Sequence, residues 1–243
     1  MKNAIVALIF SIAIVISAFL LGNSIVNRNK GDGTIATTGL GKADFTSDLI
    51  VWEGSFSKES SNLQQAYTDL EGDKKVISEY LLSKGITKEE LVFNAVSSRK
   101  NMKAKYNSQG EYAGEEFLGY VLTQSLKIES KDVEKVEDIS REITELLNKG
   151  IQFYSQTPRY YYTKLADLKI EMISKATADA KERAEKIAEN SGGELGDLLS
   201  ADMGVFQIIG QNSSEEYSWG GTYNTSSKEK TASITMKLDY EVD

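Results

Sequence analysis

The chain has 243 residues, 40% hydrophobic and 26% charged, with 28 Lys+Arg against 36 Asp+Glu, one proline, and neither cysteine nor histidine. That is enough apolar material for a real core, while the missing thiols exclude a disulfide scaffold, thiol catalysis and thiolate metal sites. Without histidine the usual general base near neutral pH and the commonest transition-metal ligand are also absent, so no enzyme is expected and no catalytic, cofactor or metal residue is assigned.

The first residues place Lys2 ahead of an almost unbroken apolar run from Ala4 to Gly22. A cleavable signal carries about 7 to 15 apolar residues and a spanning helix needs about 20. The run sits near the longer value, so residues 4–22 are expected to be a retained membrane anchor, with a cleaved signal ending near Gly22-Asn23-Ser24 as the alternative. Either way the rest is exported. Residues 1–30 form this segment and its polar linker, and 31–243 form the exported domain, in the periplasm or another extracytoplasmic part of the cell envelope. Without Lys2, Arg28 and Lys30 the exported part keeps 25 Lys+Arg against 36 Asp+Glu, a formal charge of −11. Such a surface repels nucleic acid, and no nucleic-acid partner is expected.

In chain order, Thr34 to Gly41 reads as a first strand, and Asp44 to Ser57 as a second whose Ile50, Trp52 and Phe56 share a face. Ser60 or Ser61 caps a helix with Leu63, Ala66, Tyr67, Leu70, Ile77, Tyr80 and Leu81 at helical spacing, up to Gly85. Leu91 to Tyr106 is a strand and residues 107–114 a hairpin loop. Its return strand alternates Leu118, Tyr120, Leu122, Leu126 and Ile128 with polar residues. Asp132 caps a second helix that carries Val133, Val136, Ile139, Ile143, Leu146 and Leu147 and closes at Gly150.

The two helices end alike, in LLSKGI at 81–86 and LLNKGI at 146–151. Leucines pin the last turn, glycine takes a left-handed cap and isoleucine starts a strand. Strand-helix-strand therefore occurs twice, the split βαβ or ferredoxin-like plan, and the fold class is α+β: an antiparallel sheet with helices packed on one face. A long helix and two further strands follow.

That helix runs from Leu165 to Asn190. Leu168, Met172, Ala176, Ala180, Ala184 and Ala188 recur every four residues as a slim apolar stripe that lets another backbone come close, while the opposite face is charged. Leu198 to Gly210 is strand-like, residues 211–230 read as a mobile polar loop, and Thr231 to Val242 alternates perfectly, as a strand with one exposed face would. Candidate contact residues are Tyr160, Tyr161 and Tyr162, which cannot all share one face, and Tyr217, Trp219 and Tyr223 in the polar loop.

Motifs for chemistry are missing. Gly39-Leu40-Gly41 lacks the third glycine of a dinucleotide site, and no phosphate loop, nucleophile elbow or calcium loop occurs. Glu89/Glu90, Glu115/Glu116 and Glu215/Glu216 lie beside loops, where solvated charge is the ordinary reading; Asp44 and Asp48 could meet across a turn.

The pattern resembles the SIMPL-domain family of exported bacterial proteins. The residues that carry the likeness are Gly39-x-Gly41 with Asp44, the helix ending at Gly85-Ile86, Gly119-Tyr120 opening a strand, the helix ending at Gly150, and the alanine-spaced segment 175–198. It departs from the family in having Ala43 where proline is usual before the aspartate, and in its tyrosine-rich 156–163. The resemblance implies an exported α+β domain that tends to homo-oligomerise, links to envelope stress, and no known catalytic residues. The leading expectation is therefore a non-enzymatic, membrane-tethered envelope protein that self-associates. A module that binds a small molecule or peptide on a sheet face near Tyr160 to Tyr162 is the second, its ligand unknown. A hydrolase using paired carboxylates is the third.

Overall fold

The computed structural model describes residues 11–22 and 33–242. Residues 11–22 form a helix, α1, whose apolar side chains such as Ile14 and Phe19 are exposed. The first part of the expected anchor, residues 4–10, and residues 23–32, where the expected linker falls, lie outside the described residues. No helix among the described residues is long and apolar enough to cross a membrane.

The remaining elements are β1 (Gly33–Thr46), β2 (Leu49–Ser60), α2 (Leu63–Ser83), β3 (Leu91–Phe93), β4 (Ser97–Tyr106), β5 (Tyr112–Ser130), α3 (Val133–Glu142), a 3₁₀ segment (Ile143–Lys149), β6 (Phe153–Ser155), β7 (Arg159–Tyr161), α4 (Leu165–Ser191), β8 (Leu195–Met203), β9 (Gln207–Gly210) and β10 (Glu229–Val242). This is an α+β fold. Among the described residues, the region expected as one exported domain forms two compact units: 33–41 with Ile173–Gly204 and 234–242, and Lys42–Met172 with Val205–Ser233.

The larger unit holds the ferredoxin-like plan. Its antiparallel sheet has the order β3-β5-β2-β6, with β4 continuing along β5 and β7 along β2. Alternation sends Ile50, Trp52 and Phe56 of β2 and Leu122, Leu126 and Ile128 of β5 to one face. There they join Leu70, Ile77 and Leu81 of α2 and Val133, Val136 and Ile139 of α3 in a single buried cluster. Both helices thus cover one face, and the other face carries none of these apolar side chains.

The repeated helix ends have the same geometry. Gly85 and Gly150 adopt φ of 89° and 77°. The Ile86 and Ile151 amides each donate to the leucine carbonyl five residues back, both at 3.1 Å, and the glycine amides donate to Leu82 and Leu147 at 3.0 and 2.9 Å. These are the paired bonds of a Schellman cap. The copies differ in that the second ends in a 3₁₀ segment. The cap of α2 is Asn62, not Ser60 or Ser61: its Oδ1 accepts from the Gln64 and Gln65 amides.

Four expectations need correction. The predicted strand 91–106 is broken into β3 and β4: the Asn94 amide still bonds to Ser125 in the register of β3, but the Gln124 side chain takes the Asn94 carbonyl, and pairing resumes at Ser97 opposite Thr123, one residue out of step. The hairpin loop is shorter than 107–114: Asn107 Oδ1 accepts from the Gln109 and Glu111 amides and turns the chain tightly, so β5 starts at Tyr112. The segment 198–210 divides into β8 and β9 around Gly204. Finally, β10 is not half exposed throughout. Thr231 and Ser233 are buried as well as Ala232 and Ile234, and the Thr231 hydroxyl donates to Asp44.

In the smaller unit the strand order is β1-β10-β8. The last four members of the α4 stripe, Ala176, Ala180, Ala184 and Ala188, are all buried. The slim stripe lets β1 approach the helix backbone: Thr37 Oγ1 donates to the Ala180 carbonyl at 2.9 Å, and the Leu40 amide donates to Asp179 Oδ2 at 2.8 Å. That bond, with Arg183 beside it, holds the Asp179 carboxyl below the usual carboxylate range.

Candidate functional site

The helix-free face of the larger unit's sheet follows from the alternation that builds its core. If Ile50 and Trp52 point inward, Leu49, Val51 and Glu53 must point outward, and the same logic turns out Lys127 and Glu129 of β5. Register then sets the neighbours. Val51 lies between Glu129 on one side and Arg159 on the other, Glu53 lies opposite Lys127, and Leu49 lies opposite Tyr161. Together with Gln156 and Thr157 these residues line a half-open pocket of about 340 Å³.

Its far wall is held from beneath. The buried Trp52 indole donates to Ser155 Oγ at 3.0 Å and to the Gln156 carbonyl at 3.1 Å, and the Gln156 amide donates to the Glu53 carbonyl at 2.9 Å. At the other end, Asp48 accepts from both the amide and the hydroxyl of Thr163 at 2.7 Å, and its own amide donates to the Tyr161 carbonyl. Asp48 and Asp44 are thus engaged separately and form no carboxylate pair.

The charges are unequal in their commitments. Lys127 Nζ lies 2.8 Å from Glu129 Oε2, and this hydrogen bond, with Glu53 also near, raises the lysine pKa and keeps it cationic. Arg159, exposed, makes no ion pair among the described residues. A free guanidinium beside an apolar floor of Leu49 and Val51 offers paired donors to a carboxylate.

The six candidate contact residues separate. Tyr160 faces inward: it is buried, and its hydroxyl donates to Glu137 Oε1 at 2.6 Å, burial first and this bond next raising its pKa. Tyr161 reaches the pocket and its ring lies 6.5 Å from that of Tyr223. The Tyr162 ring lies 4.7 Å from that of Phe45, tilted by 50°. Tyr217 is 62% and Trp219 100% exposed. The stretch that carries them is tied down at several points, contrary to a mobile loop. Gln207 binds both the amide and the carbonyl of Ser218, Glu215 accepts from the Gly210 amide and Asn224, and the Tyr160 amide donates to the Thr225 carbonyl.

Glu53, Lys127, Glu129 and Arg159 are absent from the sequence-based candidates; the first three hold out-of-phase positions on β2 and β5, while Arg159, in the short β7, has no such local mark. Among the described residues no Asp or Glu is buried, and no three acidic, histidine or cysteine side chains converge as a metal site would require. Glu90 is committed locally. Burial pushes its pKa up, but hydrogen bonds from Ser130 and Thr87 outweigh this and lower it.

The SIMPL family model, described as a protein of unknown function (DUF541), matches residues 35–240. The chain belongs to the SIMPL family. The match begins in β1 and ends in β10, so it takes in parts of both units of this SIMPL protein. Membership supports an extracytoplasmic protein of the cell envelope or periplasm. No curated protein matches the chain.

Proposed function

We propose that this SIMPL protein is a non-enzymatic component of the cell envelope, tethered through residues 4–22, whose exported part self-associates and serves in the response to envelope stress. The observation that carries self-association is the β4–β5 ribbon. β2 ends opposite Tyr120, so the β5 residues before Gly119 pair with β4 alone. Met102, Tyr106, Tyr112, Phe117 and Leu118 of this two-stranded arm are 42–65% exposed. An isolated hairpin is marginal in water, and apolar side chains grouped on it mark a contact surface. The detergent-solubilised full chain is expected to sediment as an oligomer, and replacing both Tyr106 and Tyr112 by serine is expected to weaken it by on the order of tenfold. A strict monomer at high concentration would remove the assembly claim.

A second reading is favoured by the pocket around Arg159, whose free guanidinium and apolar floor suit a small molecule or peptide bearing a carboxylate. Thermal shift against a panel of amino acids and short peptides is expected to give ligands that raise the melting temperature, an effect lost in Arg159→Ala. A panel without any shift, or shifts that survive the substitution, would dismiss this site.

A further inference from the structure

Two strands end their sheets with one edge unpaired. In the smaller unit β8 closes the order β1-β10-β8, and in the larger unit β4 pairs with β5 and nothing else among the described residues. The two edges have similar lengths, 9 and 10 residues. Their charges are opposite. Within a chain of net charge −8, β4 carries Arg99, Lys100, Lys103 and Lys105 and no acid. β8 carries Asp197 and Asp202, with Glu194 just before it, and no base. Lys105 pairs with Glu116 at 3.6 Å. Arg99, Lys100 and Lys103 on one edge, and Glu194, Asp197 and Asp202 on the other, make no ion pair among the described residues. Each edge also exposes apolar side chains, Met102 on β4 and Leu198, Leu199 and Met203 on β8.

We propose that β4 of one copy adds to the free edge of β8 of a second copy, so that a basic strand extends an acidic sheet. This rests on the self-association reading and names its surfaces. An unpaired row of amides and carbonyls is a template for another strand, and the charges decide which strand it accepts. Pairing β4 with β4 opposes lysines and pairing β8 with β8 opposes aspartates, both destabilising. Lysines on an edge ordinarily protect it from pairing, and here they protect it against its own kind while matching β8. The contact joins two different surfaces, and each copy carries both.

The absence of native cysteine allows a direct test on the detergent-solubilised full chain. Met102→Cys and Leu199→Cys are made in separate chains, mixed and oxidised. A disulfide-linked species containing one chain of each kind is expected, with little product from either variant alone. Reversing β4 with Lys100→Glu and Lys103→Glu in the Met102→Cys chain is expected to lower cross-linking by on the order of tenfold. Asp197→Lys and Asp202→Lys in the partner chain are expected to restore it. Restoration in the doubly reversed mixture is the readout that misfolding would not produce. If oligomers persist by sedimentation while cross-linking ignores the charges, the edge pairing is wrong and self-association stands on other surfaces. If the chain is a monomer throughout, both readings fall.

Discussion

Gly39→Ala is expected to lose about 3 kcal/mol of stability or more, in the upper range for overpacking. At about 2–4 °C per kcal/mol for a chain of this size, its melting temperature falls by roughly 6–12 °C. A Cβ at this position would lie 2.1 Å from the Ala176 carbonyl oxygen, 2.3 Å from the Ala180 amide nitrogen and 2.8 Å from the Ala180 Cβ. Two of these are helix backbone atoms, which cannot swing aside as the end of a long side chain can. Relief requires α4 to back away from β1, and that breaks the Thr37 and Leu40 hydrogen bonds to Ala180 and Asp179. Gly72→Ala is the matched control. It sits in α2 with nothing within 4 Å of its would-be Cβ, so the same added methyl should stabilise the helix by about 0.5–1 kcal/mol. Thermal unfolding of both variants followed by circular dichroism checks the pair, and a wild-type melting temperature for Gly39→Ala would contradict the packing of α4 on β1.

The alanine stripe shows which part of the fold is legible in sequence. A period of four over Leu168 to Ala188 gives both the helix and its buried face, and the smallness of four of those residues gives the close approach of another backbone. The identity of that backbone, β1, lies more than a hundred residues away and leaves no local mark. The repeated leucine-lysine-glycine-isoleucine endings were legible for a similar reason: a left-handed cap needs glycine, and the flanking residues Leu81, Ile86, Leu146 and Ile151 are all buried. The breaks in β3–β4 and β8–β9 were hidden because they depend on how the partner strand is engaged, as with the Gln124 side chain on the Asn94 carbonyl, and not on the residues at the break alone. The β4–β5 arm was foreshortened because residues solvated on both faces show no alternation. The pocket was missed for a different reason. Glu53, Lys127, Glu129 and Arg159 are ordinary surface charges until register puts them side by side.

Lys230 is the residue whose burial most changes the expected behaviour of the protein. It stands in phase with Ala232, Ile234, Met236 and Leu238, so extending the β10 alternation by one step backward places it inward, and it is 1% exposed. Its Nζ donates to Ser47 Oγ at 2.6 Å, to the Tyr160 carbonyl at 3.0 Å and to the Ser227 carbonyl. Among the described residues no carboxylate contacts it. Burial lowers its pKa from 10.5 to about 8, with Glu229 and Glu215 pulling weakly the other way. In the unfolded chain the amine keeps its ordinary value, so between pH 8 and 10.5 the unfolded state holds a proton that the folded state has released. Stability therefore rises with pH in that window. Below pH 8 the lysine is charged in both states, and the penalty for burying the charge is fully present. From pH 7 to 9.5 the gain is about 2 kcal/mol. The window is best ended there, because Tyr160 and Tyr80 have raised pKa values and oppose the trend once tyrosines ionise in the unfolded chain. In Lys230→Met the slope should vanish. The variant also leaves the Tyr160 and Ser227 carbonyls without this donor, so it should be less stable than the wild type at pH 9.5, with the gap narrowing toward pH 7. Denaturant unfolding of both proteins at the two pH values measures the gap directly. Parallel pH dependence in the two would mean that Lys230 does not carry its proton in a dry site.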